Sequence, residues 1–85
     1  MKEFNYVIKD ETGIHARPAG MLVKCAKNFK SDIKIECNGK SADAKKLFSL
    51  MSLAVKCGNE IKVICTGEDE LEASAELENF FKDNL

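Results

Sequence analysis

An 85-residue chain of 9.4 kDa has room for one small domain with one core, and it is too small to enclose a deep cleft between domains. Its composition, 45% hydrophobic and 32% charged, is that of a folded soluble protein and excludes a disordered chain. No apolar run approaches the roughly 20 residues that span a bilayer, and the first residues lack a signal peptide's apolar segment, so we expect a cytoplasmic protein.

The charges are distributed unevenly along the chain. Residues 1–65 hold 12 Lys and Arg against 7 Asp and Glu, a balance of +5, whereas residues 66–85 hold 1 Lys against 7 acidic residues, a balance of −6. An acidic helix start and a solvated basic surface would explain this asymmetry. The alternative is a basic body that holds an anionic ligand or partner.

The cysteines do not predict a metal site. They include no C-x-x-C pair, and the chain has one histidine, so we expect neither structural zinc nor another bound metal or cofactor. Cys37 and Cys65 alternate with branched apolar residues as buried strand positions do, which predicts free thiols in the core.

The first third of the chain predicts a strand followed by a helix. Phe4, Tyr6 and Ile8 alternate with mostly polar neighbours, which favours a strand ending near Lys9. After a turn, a helix is expected from about Ala16 to Asn28, because one of its faces is apolar. The apolar face comprises Ala19, Leu22, Val23, Ala26 and Phe29, and the opposite face comprises Arg17, Gly20, Met21, Lys24, Lys27 and Asn28.

The middle of the chain predicts a hairpin and a short helix. A second alternating run ends at Cys37 and precedes Asn38-Gly39, a dipeptide that favours a type I′ turn into a short strand over Lys40–Ala42. We expect Asp43 to cap a helix over roughly Lys46–Leu53.

The last third predicts a strand and a final helix. The strand carries Ile61, Val63 and Cys65, and the helix runs from about Asp69 to Lys82, its start rich in acids that complement the helix dipole. Its expected apolar stripe is Ala73, Ser74, Leu77, Phe80 and Phe81. The order β-α-β-β-α-β-α favours an α+β fold with helices on one face of an antiparallel sheet, but does not determine the strand order.

The most informative motif is Gly13-Ile14-His15-Ala16-Arg17-Pro18-Ala19. Pro18 belongs in a first helical turn, where its missing N–H costs nothing, which places His15 at or beside the N-cap. An imidazole there faces free backbone N–H groups, including those of Ala16 and Arg17, which form an anion site. The Arg17 guanidinium adds planar donors that suit phosphate.

This arrangement favours covalent capture of a phosphoryl group. His15 has no orienting carboxylate or adjacent Ser or Cys that would predict a hydrolase triad, whereas its imidazole can attack phosphorus. The chain has no G-x-x-x-x-G-K-[ST] loop for ATP, so the phosphoryl group would come from another protein. The alternative is a lone surface histidine that serves as a helix cap.

The motif resembles the active-site signature of HPr, the histidine-containing phosphocarrier family of the bacterial sugar phosphotransferase system. The similarity covers the whole chain, 1–85, as one domain, and includes Asn38-Gly39-Lys40 and Lys45-x-Leu47-x-x-Leu50-Met51-Ser52-Leu53. The resemblance implies an open-faced β-sandwich of four antiparallel strands with three helices on one face. It also implies that His15 accepts phosphate on Nδ1 from enzyme I, which draws on phosphoenolpyruvate, and passes it to enzyme IIA components, with Arg17 assisting. The protein would then be a carrier and not an enzyme.

A docking surface for such partners is expected on the first two helices. An apolar patch ringed by lysines suits a transient acidic partner. The candidate residues are Gly20, Met21, Lys24, Lys27, Leu47, Phe48 and Met51. We expect Phe48 and Met51 to be exposed and Leu50 and Leu53 to be core. The alternative is that Leu47 and Phe48 are also core and that the lysines form a solvated face.

Two positions depart from the family pattern. Many members carry a regulatory serine at the start of the second helix, where this chain has Lys46, so we expect serine-directed control to be absent. Ser49 lies a turn away and does not inherit that role. Ala54 replaces a glycine that is usual after the second helix, and we expect it to extend that helix slightly.

The sequence also bears on three other functions. A nucleic-acid-binding sheet would carry stacked aromatic residues on its central strands, and Ile33–Glu36 and Ile61–Ile64 contain none. A metal chaperone would need paired cysteines before the first helix. The main alternative is a regulatory paralogue that acts by protein binding in carbon-metabolism control. We expect no nucleic-acid binding, no membrane insertion and a monomer that exposes one face to successive partners.

Overall fold

A computed structural model describes residues 1–85 and shows the expected order of elements. The strands are β1 (Lys2–Val7), β2 (Asp32–Cys37), β3 (Lys40–Asp43) and β4 (Glu60–Thr66). The helices are α1 (Ala16–Ala26), α2 (Leu47–Ser52) and α3 (Glu70–Asn84). The α+β fold predicted from the sequence is confirmed.

The four strands form one antiparallel sheet in the order β1-β4-β2-β3. The late strand β4 therefore lies between β1 and β2, a position that element order could not predict. In this register Val7, at the end of β1, is paired with Glu60, at the start of β4. The loop that leaves β1 and the segment that enters β4 consequently lie side by side.

One hydrophobic core lies between the sheet and the helices. Buried and exposed residues alternate along β2 and β4, so that one sheet face is covered and the other is open. The predicted helical core positions Ala19, Leu22, Val23, Ala26, Ala73, Leu77 and Phe81 are buried, whereas Phe29, Ser74 and Phe80 are half-buried. Phe29 lies beyond the end of α1 and contacts the core from the following loop.

The cysteines are free thiols, in agreement with the sequence prediction. Cys37 and Cys65 are buried on the covered face of the sheet, and burial raises the pKa of both thiols. They act as small apolar core residues.

Asn38 and Gly39 form the predicted hairpin turn. Their φ angles of 53° and 79° are both positive, as a type I′ turn requires. The prediction for Asp43 was wrong, because α2 begins three residues later than a cap at Asp43 allows and Lys46 is its N-cap. Asp43 instead accepts a 2.9 Å hydrogen bond from the Lys45 N–H and stabilises the turn between β3 and α2.

Several predicted boundaries differ from the observed ones by one or two residues, among them the ends of β1 and α1. β1 ends at Val7 and not near Lys9, since the Lys9 N–H donates to the Leu85 carbonyl rather than to β4. α1 ends at Ala26 and not at Asn28, and the Asn28 and Phe29 N–H groups bond three residues back, as in a tightened last turn.

The expectation that Ala54 extends α2 was also wrong. The helix ends at Ser52, and Ala54 has a φ of 51°, in the left-handed region that glycine adopts with least strain. The chain reverses at this position toward β4. An alanine therefore occupies a backbone conformation that disfavours a Cβ atom.

An Ala54→Gly protein is expected to be more stable than the wild type by about 0.5–1 kcal/mol. Removing the Cβ relieves roughly 1–2 kcal/mol of left-handed strain, which the greater freedom of the unfolded chain partly offsets by about 0.4–1 kcal/mol. Thermal unfolding would show a rise in Tm of about 2–8 °C. Ala75→Gly, at an exposed position inside α3, is the matched control and should lower stability by about 1 kcal/mol. A lower Tm for Ala54→Gly would contradict the assignment of strain.

Asp69 fastens the start of α3 to the loop after α1. Its carboxylate accepts hydrogen bonds from the Lys30 N–H at 2.9 Å, the Ser31 N–H at 2.9 Å and the Ser31 hydroxyl at 2.5 Å. The Ser31 hydroxyl, followed by the backbone N–H groups, lowers the pKa of Asp69 to about 2. Part of the acidic segment thus has a structural role, as the first of the two explanations for the charge asymmetry predicts.

Candidate functional site

His15 is the N-cap of α1, where the sequence placed it. Its backbone is extended, with φ −108° and ψ −177°, and its carbonyl accepts a 2.8 Å hydrogen bond from the Ala19 N–H. Pro18 lies in the first turn and is buried. The histidine therefore begins the helix, and its side chain lies at the end where backbone N–H groups point outward.

Gly13 sets the direction from which the chain enters the helix. Its φ is 69°, and its N–H donates to the Asp10 carbonyl at 3.0 Å, which closes a turn. A Cβ atom at this position would lie 2.2 Å from the Val55 carbonyl oxygen and 2.7 Å from the Lys56 Cα. Only glycine fits here without movement of the backbone.

The segment before β4 supports the histidine loop from a distant part of the sequence. The Val55 carbonyl accepts the Ile14 N–H at 3.1 Å, and the Ile14 side chain is buried. Further along, the Gly58 N–H donates to the Ile8 carbonyl at 2.7 Å, and the Ile8 N–H donates to the Asn59 carbonyl at 3.0 Å. These bonds fix the residues on the N-terminal side of His15. The sequence does not predict this support, since no local pattern signals a contact between loops so far apart.

The imidazole of His15 is exposed and makes no hydrogen bond within the protein. The backbone N–H groups of Ala16 and Arg17 have no intrahelical acceptor and donate to no other group of the chain. The Arg17 guanidinium is exposed and belongs to no ion pair. A nucleophilic ring nitrogen, two free backbone donors and a free guanidinium thus share one helix end, as an anion site requires.

Asp10 and Thr12 form a turn on the approach to His15. One carboxylate oxygen of Asp10 accepts the Thr12 N–H at 2.9 Å and the Thr12 hydroxyl at 2.7 Å. The hydroxyl, then the N–H, lowers the pKa of Asp10, and the charge of His15 adds a smaller lowering. The sequence predicts a turn here, and Asp-x-Thr is a pattern in which the carboxylate holds such a turn.

The predicted docking residues lie largely on the surface. Phe48 is 85% exposed, and Met21, Leu47 and Met51 are between 36% and 45% exposed. α2 packs against α1, so Met21 and the three α2 residues lie on neighbouring helices. Gly20 is half-buried, whereas Lys24 and Lys27 are exposed.

The expected exposure of four residues in and next to α2 is confirmed. Phe48 and Met51 are exposed, and Leu50 and Leu53 are buried. Leu47 and Phe48 are therefore not core residues, so the alternative of a buried patch is wrong at those two positions. That partners dock on this surface stays a prediction.

The start of α2 carries Lys46, exposed and extended, at the N-cap. Ser49 lies inside the helix and is half-buried, and its carbonyl accepts the Ser52 hydroxyl at 2.6 Å. The preceding residue, Lys45, was not predicted to have a role, but its Nζ donates to the Phe29 carbonyl at 2.8 Å. This bond joins the start of α2 to the loop that follows α1.

The site is a surface and not a pocket. A depression of about 380 Å³ lies at the β2–β3 hairpin, and none of the candidate site residues lines it. No group of three or more His, Cys, Asp or Glu side chains converges as a metal site would require. No helix combines the length and the apolar character needed to cross a bilayer.

Comparison with known proteins identifies the family. The model of the PTS HPr component phosphorylation site family matches residues 2–83. The structure is similar to the histidine-containing phosphocarrier protein of a mycoplasma, at 35% identity and a TM-score of 0.94, over 96% of this chain and 93% of that one. It is also similar to HPr from Thermoanaerobacter tengcongensis, at 41% identity and a TM-score of 0.93, over 98% and 93% of the two chains.

A third neighbour is Crh, the catabolite-repression protein of Bacillus subtilis, whose structure is a domain-swapped intertwined dimer. It is 40% identical, with a TM-score of 0.78, over 94% of this chain and 92% of that one. The class defined by this fold and these matches is the phosphocarrier of the sugar phosphotransferase system. The chain belongs to the HPr family.

Proposed function

We propose that this protein accepts a phosphoryl group on His15 from phosphorylated enzyme I and passes it to enzyme IIA components in the cytoplasm. The observation that carries the proposal is the free imidazole at the start of α1, beside the unused N–H groups of Ala16 and Arg17. The HPr family match supports the phosphocarrier role.

The transfer requires no group beyond the two proteins. The Nδ1 atom of His15 attacks phosphorus as the bond between phosphorus and the donor atom of enzyme I breaks, and that donor atom keeps the electron pair. The phosphoryl oxygens then meet the N–H groups of Ala16 and Arg17 and the Arg17 guanidinium. The reverse sequence, with enzyme IIA as acceptor, returns His15 to its starting state. The protein is thus a carrier whose partners complete each active site.

The partners would dock on the exposed surface of α1 and α2. The apolar side chains of Met21, Phe48 and Met51 provide contact area, and Lys24 and Lys27 provide positive charge for acidic partners. One face must meet successive partners, so we propose that the protein works as a monomer. Light scattering tests this, because it measures the molar mass in solution. A regulatory paralogue is the second candidate, since Crh is 40% identical to this chain.

Incubation with phosphoenolpyruvate and enzyme I tests the proposal. The protein should gain one phosphate that is labile in acid and stable in base, and should run on a native gel with about two more negative charges at roughly pH 7.5. Adding an enzyme IIA domain should remove the phosphate. Absence of any base-stable phosphate would reject the carrier function and leave the regulatory one.

We also propose that serine-directed control is absent. Lys46 occupies the start of α2, where regulated family members carry a hydroxyl, and Ser49 lies within the helix and is half-buried. Incubation with ATP and the serine kinase, followed by mass spectrometry, should show no phosphoserine. Stoichiometric phosphate on Ser49 or Ser52 would overturn this proposal.

A further inference from the structure

Helix α2 carries three of the proposed docking residues but has few interactions of its own that hold it in place. It has six residues, of which Leu50 alone is buried, and isolated helices shorter than about 12 residues are marginal in water. Lys46, its N-cap, makes no side-chain capping bond, and the first turn contains no acidic residue. The order of α2 must therefore come from its connections to the rest of the protein.

Two hydrogen bonds connect α2 to α1, one near each end. Beyond the end of α2, the Val55 carbonyl accepts the Ile14 N–H at 3.1 Å, next to the start of α1. Before the start of α2, the Lys45 Nζ donates to the Phe29 carbonyl at 2.8 Å, just past the end of α1. The two packed helices therefore run side by side in opposite directions.

The backbone around Lys45 places its side chain for this contact. The Lys45 N–H donates to the Asp43 carboxylate at 2.9 Å, and the Ala44 N–H donates to the Ile33 carbonyl of β2 at 2.9 Å. The Lys45 side chain is half-buried and forms no ion pair. The Phe29 carbonyl lies near the last turn of α1, where the helix dipole favours a positive charge. Lys45 thus joins a fixed point on the sheet to the end of α1.

We propose that Lys45 is a positioning residue that holds α2 against α1 and so presents the docking residues of α2 to enzyme I in a preformed arrangement. The role assigned to Lys45 rests on the proposed function, since it requires enzyme I as a partner. Copies in which α2 is disordered do not bind, and the apparent affinity of a partner falls in proportion to the fraction of competent copies. Lys45 therefore acts on docking and not on the transfer step.

The separation between Lys45 and His15 supports this division. Because α1 has 11 residues and a rise of about 1.5 Å per residue, its two ends lie about 16 Å apart. His15 lies at one end, and Phe29, which holds the Lys45 ammonium, lies beyond the other. This separation exceeds the Debye length of about 10 Å at roughly 0.1 M salt, so the Lys45 charge exerts little force on a phosphoryl group at His15.

The experiment compares Lys45→Met with Lys34→Met as phosphoryl acceptors from enzyme I. Methionine keeps an apolar stem but has no group that donates to the Phe29 carbonyl. Lys34→Met is the matched control, because it removes the same charge from the open face of the sheet, where Lys34 is exposed and forms no ion pair. Initial rates at increasing concentrations of each protein, with phosphoenolpyruvate in excess, give its KM and kcat.

The KM of Lys45→Met should rise about two- to fivefold, which corresponds to a competent fraction of roughly 20–50%. Its kcat should stay within about 1.5-fold of the wild type, because saturating protein selects the ordered copies and leaves the transfer step unchanged. Lys34→Met should match the wild type in both values. Should Lys45→Met fail to fold, Lys45→Ser is the second variant, since serine is polar and too short to replace the lysine contact, and the same predictions apply to it.

Amide hydrogen exchange of the free protein separates positioning from a direct contact with enzyme I. The Leu50 N–H donates to the Lys46 carbonyl at 3.0 Å and so reports on the first turn of α2. In Lys45→Met it should exchange at least about fivefold faster than in the wild type, because the open fraction of α2 rises from under roughly a tenth to about half or more. Lys34→Met should leave this rate unchanged.

The outcomes distinguish the role of Lys45 from the carrier function. An unchanged KM for Lys45→Met would overturn the positioning role. A raised KM with unchanged exchange at Leu50 would also overturn it, because enzyme I would then contact the lysine itself. Failure of the proposed function gives a different result, in which the wild type takes no phosphate from enzyme I, and the role of Lys45 in docking would be rejected with it.

Discussion

A His15→Ala protein is expected to gain no phosphate from enzyme I and phosphoenolpyruvate. His15 is the single histidine of the chain and is the N-cap of α1, directly before the free N–H groups of Ala16 and Arg17. The imidazole is exposed and makes no hydrogen bond, so stability should change by no more than about 0.5 kcal/mol. Intact-mass spectrometry and thermal unfolding measure the two effects on one sample.

The control is Glu72→Gln, an exposed position on α3 outside the proposed site. It should take up phosphate as the wild type does. The prediction requires that His15→Ala takes up no phosphate and that Glu72→Gln takes up as much as the wild type, while the two variants have similar Tm values. Base-stable phosphate on His15→Ala would show that another residue is the acceptor and would remove the basis of the carrier model.

Replacing Gly13 by alanine is expected to destabilise the protein by about 2–4 kcal/mol. The left-handed backbone costs a residue with a Cβ roughly 1–2 kcal/mol, of which the reduced freedom of the unfolded chain offsets about 0.4–1 kcal/mol. The added atom would also lie 2.2 Å from the Val55 oxygen, and relieving an overpacked contact typically costs about 1–3 kcal/mol. The Tm should fall by roughly 10–25 °C. Phosphate uptake should also slow, because the movement that relieves the clash displaces the loop carrying His15.

The Gly39→Ala variant separates the cost of backbone strain from the cost of the close contact made by the added Cβ atom. Gly39 also has a positive φ, 79°, but an added Cβ there would meet no atom within 4 Å. It should cost only the net backbone strain, about 0.5–1 kcal/mol, and leave phosphate uptake unchanged. If Gly13→Ala proved no more destabilising than Gly39→Ala, the close contact with Val55 would be refuted.

The parts of this structure that local chemistry determines were predictable from the sequence. The turn at Asn38-Gly39 follows from residues that tolerate positive φ, and the placement of His15 at the N-cap follows from Pro18 in the first turn. The apolar spacing of α1 predicted its buried face, including Leu22 and Val23. Each of these depends on neighbours within a few residues, where propensity and periodicity act.

The predictions from the sequence were wrong or incomplete where contacts between distant segments determine the conformation. Ala54 favours a helix by itself, but the path of the chain into β4 imposes a left-handed backbone. Asp43 is a good cap residue that is used in a turn, and α2 begins instead at Lys46. The position of β4 between β1 and β2 was likewise not determined by element order.

The candidate site likewise has one part that the sequence predicts and another that depends on distant contacts. The proposed acceptor His15 and its backbone donors are contiguous, and one sequence motif contains them. The carbonyl of Val55, which accepts the Ile14 N–H, comes from the far side of α2 and becomes a neighbour only through the pairing of β1 with β4. A single sequence contains no pattern that would connect these positions.

The bond between Ile14 and Val55 has a consequence for the order in which the protein matures. Local elements such as α1 form quickly, whereas contacts between distant segments form late because closing the intervening loop costs entropy. A chain that has formed α1 but has not inserted β4 would hold His15 on an unsupported loop. Under the proposed function, copies in which β4 has not yet paired would therefore be poor phosphoryl acceptors.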